Sequence, residues 1–332
     1  YKQSHPAPRY NARDAAVMRA FRNHCPVILG SATPSIESYY NCRTGKYSLI
    51  QLKKRVDDVP MPAVSVIRQN LDRDPSAHPI FSRVLLQQIE TELKEGHQII
   101  LLQNRRGFAS FLRCRECGEI DRCLNCDISL TYHKDSNLLR CHYCGFEKPA
   151  PDACPGCEGT MLSFSGVGTQ RVERELKELF PDAEVVRMDQ DTTRKKGGHE
   201  EITVPFEKGE GDILIGTQMI AKGHDFPGVQ MVGIISADTG LHMPDFRAGE
   251  TVFQLLTQTS GRAGRRKKQG KVLIQTRLDE HPVLKYVKTH DYKSYYQWEI
   301  NNRQELSYPP FSRLGLIRFR ARTEQRAIAA SQ

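Results

Sequence analysis

The chain has 332 residues, 39% of them hydrophobic and 26% charged, which fits a soluble globular protein with room for two domains. No apolar run approaches the ~18 residues of a membrane helix, and no signal-like segment is present. With 48 Lys and Arg against 39 Asp and Glu, the formal charge of +9 admits a polyanionic partner without requiring one.

The chain opens at Tyr1 rather than Met and stops in a helix-like run, "TEQRAIAASQ", so it reads as an internal fragment of a longer protein. "CPVILGSATPS" (25–35) predicts a short buried strand, a Gly turn and a Ser/Thr-rich loop before a helix. "IESYYNCRTGKYSLIQL" then predicts helix, Gly turn and strand. Residues 53–79, with four prolines and little periodicity, read as a linker between lobes. "SRVLLQQIETELKEG" is an amphipathic helix ending at Gly96, and "HQIILLQN" a buried strand. After a cysteine-rich block the alternation resumes: "TQRVERELKELFP" helical, "AEVVRMD" and "DILIGT" strands, "VQMVGIISAD" a strand, "TVFQLLTQTSGRAG" helical, "KVLIQT" a strand. Helices alternating with continuous apolar strands predict an α/β fold, a parallel sheet covered on both faces. From about Asp291 the pattern changes, as if a further domain began.

Eight of the ten cysteines form four C-x2-C pairs between Cys114 and Cys157. Disulfides suit neither this spacing nor an α/β pattern without a secretion signal; tetrahedral zinc suits both. Eight thiolates make two closed four-cysteine sites, and three pairings of the four units are possible. A side-by-side pairing must close its first site across only five residues, and a cross-brace alternates the units. Nesting is preferred, because Cys123, Cys126, Cys141 and Cys144 form C-x2-C-x14-C-x2-C, close to zinc-ribbon spacing. Cys114, Cys117, Cys154 and Cys157 then fasten the ends of the insertion. His133 and His142 are left out, since the cysteines saturate both sites. Arg113, Arg115, Arg122, Lys134, Arg140 and Lys148 read as compensation for the net −2 of each site, or else as nucleic-acid contacts. Cys25 and Cys42 read as buried core thiols.

"QTSGRAGR" (258–265) follows an amphipathic helix and carries Arg262 and Arg265, whose forked guanidinium groups suit phosphate. "GSATPS" (30–35) and "ILIGTQMIAKGHDFP" (213–227) each follow a strand, where amides and hydroxyls can meet phosphates. "NRRGF" (104–108) offers Arg105 and Arg106 in a similar place. "DEH" at Asp279 to His281 lacks the spacing of a magnesium-binding D-E-x-H and comes after the arginines, so it reads as a decoy.

In this order the motifs resemble those of a superfamily 2 helicase: "GSATPS" the third, "LLQNRRGF" the fourth, "GTQMIAKGHDFP" the fifth and "QTSGRAGR" the sixth. With eight cysteines between the fourth and fifth, and "YKQ…RYNARD" resembling an aromatic-rich loop, the match is to the PriA family of replication-restart helicases. The resemblance implies a RecA-like helicase lobe with an inserted two-zinc module. It implies an ATP-dependent 3′→5′ DNA helicase that recognises stalled forks and drives primosome assembly. Gln258, Arg262 and Arg265 would serve ATP hydrolysis, Arg265 as arginine finger. Ser31 and Thr33 would couple nucleotide to DNA, and Thr217, Lys222, Gly223 and Asp225 would lie at the lobe interface. The cofactors implied are two Zn2+ plus ATP with Mg2+; the partners are forked DNA, helicase-loader and primosome proteins and single-stranded DNA-binding protein, in the nucleoid of a bacterial cytoplasm. No G-x-x-x-x-G-K-[ST] and no D-E-x-H occurs in these residues, so the fragment alone is expected to be inactive. The domains expected are residues 1–52 as the end of a first lobe, 53–79 a linker, 80–113 and 158–290 a second lobe, 114–157 the zinc insertion and 291–332 the start of a further domain. A non-enzymatic zinc-ribbon module for nucleic-acid binding or assembly is the alternative; a zinc enzyme fits poorly, because both metals are closed.

Overall fold

The computed structural model describes residues 10–52, 59–69, 78–103, 112–114, 116–117, 119–133, 136–141, 144–164, 168–189, 192–193, 197–221, 226–264, 269–315 and 324–331. In chain order the elements are α1 (Ala12–Arg22), α2 (Ile36–Arg43), β1 (Ala63–Arg68), α3 (Arg83–Lys94) and β2 (Gln98–Leu102). The cysteine block contributes β3 (Leu112–Cys114), β4 (Thr131–His133), β5 (Leu138–Arg140), β6 (Glu147–Pro149) and β7 (Leu162–Phe164). Then come α4 (Thr169–Leu179), β8 (Val185–Met188), α5 (Glu200–Glu207), β9 (Ile213–Gly216), β10 (Val229–Ile234), α6 (Asp238–Leu241) and α7 (Ala248–Ser260). The chain continues through β11 (Lys271–Thr276), α8 (Pro282–Lys288), α9 (Tyr292–Glu305) and α10 (Glu324–Ser331).

Six strands form one parallel sheet in the order β1-β11-β10-β2-β9-β8. Strand side chains alternate between faces, and both faces here are apolar. Ile99, Leu101, Ile213, Ile215 and Met231 pack with Leu85 and Ile89 of α3 and Val172 and Leu176 of α4. Ile100, Leu102, Leu214, Val232, Ile234 and Ile274 face the other way, against Phe206, Val252, Phe253, Leu256, Val283 and Tyr295. The α/β prediction holds for that physical reason: strands buried on both faces read as unbroken apolar runs. Helix α3 starts where the Ser82 hydroxyl accepts from the Leu85 amide (3.2 Å) and stops before Gly96, which takes φ +70°.

Three expectations change. The stretch read as a linker contains β1, which pairs with β11 alone at the sheet edge. An edge position tolerates the flanking prolines that hid the strand. The apolar runs at 25–30 and 48–52 form no strand: Ile28 is 92% exposed and Leu52 91%. An extended segment needs a ladder partner for its amides and carbonyls, and none pairs with them among the described residues. Cys25 is accordingly exposed and Cys42 only half-buried, not core thiols. Finally, α9 does not begin a separate body. Its Tyr295, Tyr296 and Ile300 belong to the same core as α7, α8 and the sheet, and Tyr39 of α2 packs edge-on against Tyr292 and Tyr296.

Candidate functional site

The eight cysteines gather into two quartets, Cys114/Cys117/Cys154/Cys157 and Cys123/Cys126/Cys141/Cys144, each with its sulfurs within 4.8 Å of one another. This is the nested arrangement. Strands β3 and β7 pair antiparallel and bring the ends of the insertion together, while β4, β5 and β6 form a small sheet behind the inner quartet. The Sγ–Sγ separations, 3.6 Å for Cys114–Cys157 and 3.5 Å for both Cys117–Cys154 and Cys123–Cys144, are too long for disulfides. They match the edge of a sulfur tetrahedron around zinc, about 3.8 Å for a 2.3 Å Zn–S bond.

The chemistry of the donors agrees. Backbone amides of Glu116 and Gly156 donate to the Cys114 and Cys154 sulfurs at 3.3 and 3.4 Å, and the Phe146 amide draws the Cys144 thiol down to about 6. Burial and the neighbouring sulfurs push Cys117 and Cys126 up. Four thiols so close do not all ionise unless a cation sits among them, so the two quartets are compatible with two zinc ions. Neither quartet includes a histidine. His133 lies on β4; His142 is outside the described residues.

The basic residues of the module that are described pair with its own acids: Lys148 with Asp121 (2.6 Å), Arg140 with Glu147 (3.1 Å) and Arg122 with Asp127 (3.5 Å). Arg115, Lys134 and the Arg113 side chain lie outside the described residues.

Away from the zinc module, two of the motifs meet. The Gln258 side-chain amide donates to the buried Thr33 hydroxyl at 3.1 Å, and the Ser31 hydroxyl accepts from the Thr33 amide at 3.1 Å. Gln254, one turn earlier on α7, reaches the Thr33 carbonyl at 3.4 Å. Arg262 donates to the Ala221 carbonyl at 2.6 Å, so the sixth motif also touches the fifth. The turn after α7 sits on the N-terminal ends of β10 and β11: the Gly264 amide bonds the Val229 carbonyl at 3.1 Å. Gly270 lets it in, since a Cβ there would lie 2.4 Å from the Ala263 backbone. Thr217 follows the C-terminal end of β9, and its carbonyl accepts from the Ile220 amide at 3.1 Å. Arg105, Arg106, Lys222, Gly223, Asp225 and Arg265 lie outside the described residues. The "DEH" triplet is structural: Asp279 pairs with Arg68 at 3.6 Å and His281 caps α8.

One constellation has no sequence signal. Arg303 of α9, 1% exposed, pairs with Glu250 (2.7 Å), Glu299 (2.7 Å) and Glu37 (3.2 Å). Burial pushes Glu250 and Glu299 up. For Glu37 burial is outweighed by Arg303 and Arg247, which hold it down. The Arg303–Glu299 spacing of four is that of an ordinary helix pair, and nothing in the sequence ties either residue to Glu37 or Glu250.

Residues 123–149, the inner quartet and its sheet, match the PriA DNA helicase Cys-rich region (CRR) domain. Residues 160–267, from β7 through the arginine motif, match the helicase conserved C-terminal domain. The replication restart protein PriA of Bacillus subtilis (strain 168) is 50% identical over 317 residues, covering 96% of this chain and 39% of its own length. Over these residues the chain belongs to the PriA family. PriA of Chlamydia pneumoniae is 45% identical over 317 residues (95% of this chain, 42% of its own), and PriA of Treponema pallidum 41% over 328 (98% and 49%). This PriA-family chain therefore spans less than half the length of these curated relatives. Among solved structures, S. cerevisiae Dbp5 bound to RNA and ADP BeF3 aligns with 86% of this chain and 57% of its own, at 14% identity and a TM-score of 0.41. No helix among the described residues is long and apolar enough to cross a membrane.

Proposed function

We propose that these residues form the end of a first motor lobe, the second motor lobe and the zinc module of an ATP-dependent 3′→5′ DNA helicase that recognises stalled replication forks and drives primosome assembly. The observation that carries this reading is the Gln258–Thr33 contact, which ties the arginine helix to the "GSATPS" segment in a PriA-family chain. A passive zinc-ribbon module has no need of such a seam.

The roles follow. Arg265 acts as arginine finger on the transferring γ-phosphoryl group. Gln258 and Arg262 hold the turn at 261–264 in place, through Thr33 and the Ala221 carbonyl. Ser31 and Thr33 link that turn to DNA; Thr217, Lys222, Gly223 and Asp225 face the lobe interface, and Arg105 and Arg106 contact DNA phosphates. ATP with Mg2+ binds between this lobe and one that supplies the P-loop. Each cysteine quartet holds one Zn2+, which supplies a rigid crosslink and no open coordination position. Residues 1–52, 80–113 with 158–290, and 114–157 act as parts of a first lobe, second lobe and zinc insertion; forked DNA, helicase-loader proteins and single-stranded DNA-binding protein are the partners, in the nucleoid.

The test joins this chain to the remaining length of its relatives and assays ATP hydrolysis and unwinding of forked DNA. DNA-stimulated hydrolysis with 3′→5′ unwinding is expected, and the 332 residues alone should hydrolyse nothing. DNA binding without hydrolysis in the joined protein would leave the non-enzymatic zinc-ribbon reading in its place.

A further inference from the structure

The zinc module meets the motor lobe across a cavity of about 230 Å³, lined on one side by Arg122 and Ile128 and on the other by Met243 and Trp298. On its rim the two bodies touch through aromatic side chains. The Tyr308 hydroxyl donates to the carbonyl of the zinc-quartet residue Cys126 at 2.8 Å. Phe246 packs against the module's apolar core of Ile128, Leu130 and Leu139, and stacks on Tyr308 with centroids 4.7 Å apart and planes at 12°. Over the Phe246 ring lie two guanidinium groups, Arg247 at 4.3 Å and Arg303 at 5.0 Å.

Arg303 continues the path into the lobe. It bonds one oxygen of Glu250 on α7 at 2.7 Å. The other oxygen of Glu250 accepts from the Ile36 amide at 3.1 Å and from Gln254 at 3.2 Å. Arg303 and Arg247 also hold Glu37 (3.2 and 3.4 Å), beside Ile36. The segment so gripped is the one whose Thr33 bonds Gln258.

We propose that Phe246 and Arg303 are positioning residues that couple the inner cysteine quartet to the seam between residues 33–37 and α7. The physical reason is that each link has a fixed geometry. A stacked ring cannot tilt without moving the guanidinium above it, because the attraction depends on the ring face. A buried guanidinium shared among three carboxylates cannot move without breaking charge-assisted bonds. The module's seating thereby sets how tightly the "GSATPS" segment is held on the arginine helix. The functional meaning rests on the helicase reading above; the coupling itself does not.

The test is amide hydrogen exchange at Ile36, which needs neither ATP nor DNA. Zinc is stripped from the chain with a thiol-reactive mercurial and a chelator, and exchange is compared before and after. In the native chain, stripping should speed Ile36 exchange by about 5–150-fold, the range of energetic coupling between sites. In Phe246→Leu exchange starts faster, and stripping should change it by less than about 2-fold, because two breaks in one path are not additive. Phe246→Tyr keeps the ring face and should restore the zinc dependence, which a general loss of packing does not predict. Arg303→Lys keeps the charge without the fork and should behave like Phe246→Leu. If Phe246→Leu does not fold, Tyr308→Phe, which removes one hydroxyl, makes the same comparison. Ile36 exchange indifferent to zinc in the native chain, or rising equally in the variants, overturns the proposal. Absence of ATP hydrolysis in the joined protein would sink the helicase reading and leave this exchange result untouched.

Discussion

Gln258 and Thr33, 225 positions apart in sequence, share a 3.1 Å hydrogen bond between a side-chain amide on α7 and a buried hydroxyl. Gln258→Ala leaves that hydroxyl without this donor. An orphaned buried polar group costs about 1–3 kcal/mol, so urea unfolding should show a loss of that size. A loss under about 0.5 kcal/mol, the scale of a neutral surface change, would mean the contact is not formed in solution.

The nested quartets are tested by zinc content. The native chain should hold about two zinc ions. Replacing Cys114 and Cys157 together by Ser should leave about one, since both sit in the outer quartet. Under either other pairing these two residues serve different metals, and elemental analysis of the double variant would find almost none.

The two arginines of the sixth motif should separate. In the joined protein, Arg265→Ala should lower kcat by ~10³-fold or more, on the scale of arginine fingers, with ATP binding little changed. Arg262 bonds the Ala221 carbonyl at 2.6 Å, so Arg262→Ala should also lower the unfolding temperature. Unchanged turnover in Arg265→Ala would remove that residue from the mechanism.

Acid should weaken the junction at His281. Burial, and then the Arg122 guanidinium, push this imidazole down to about 4, against 6.5 when unperturbed. A folded value below the unfolded one favours the neutral ring in the folded chain, so this contribution is intact above pH 6.5 and is lost as pH falls toward 4. Protonation also removes the Nδ1 acceptor that caps the Val283 amide at 3.3 Å. Charged neighbours along the same cavity are Arg122, Asp127, Asp245, Glu299 and Arg303. The unfolding temperature should fall between pH 6.5 and 4, less steeply in His281→Asn, which keeps a capping oxygen. Equal slopes would show that His281 does not titrate in that window.

Periodicity made the central sheet legible, because β2, β9, β10 and β11 are buried on both faces and read as continuous apolar runs. Spacing alone favoured the nested quartets. The edge strand β1 is hidden by the prolines before it, and the runs at 25–30 and 48–52 read as strands although they form none, since apolar character cannot reveal whether a pairing partner is present. Glu37, Glu250 and Arg303 were invisible for a related reason: charged residues usually face solvent, and only the fold shows that these three converge in the core. Phe246 and Tyr308 carry no motif at all; their meaning comes from the Cys126 carbonyl on one side and Arg303 on the other.

On the helicase reading proposed above, the zinc module serves DNA and partner handling through the lobe rather than ATP chemistry itself. In the joined protein, Cys123 and Cys126 are replaced together by Ser, and DNA-stimulated ATP hydrolysis is measured beside unwinding of a forked duplex. Hydrolysis should be largely kept and unwinding lost, as expected when the seam at residues 33–37 loosens while Arg262 still anchors the turn after α7 on the Ala221 carbonyl. Hydrolysis and unwinding falling together with the thermal transition would make the module a structural staple, and both remaining intact would make it dispensable; either result contradicts the claim.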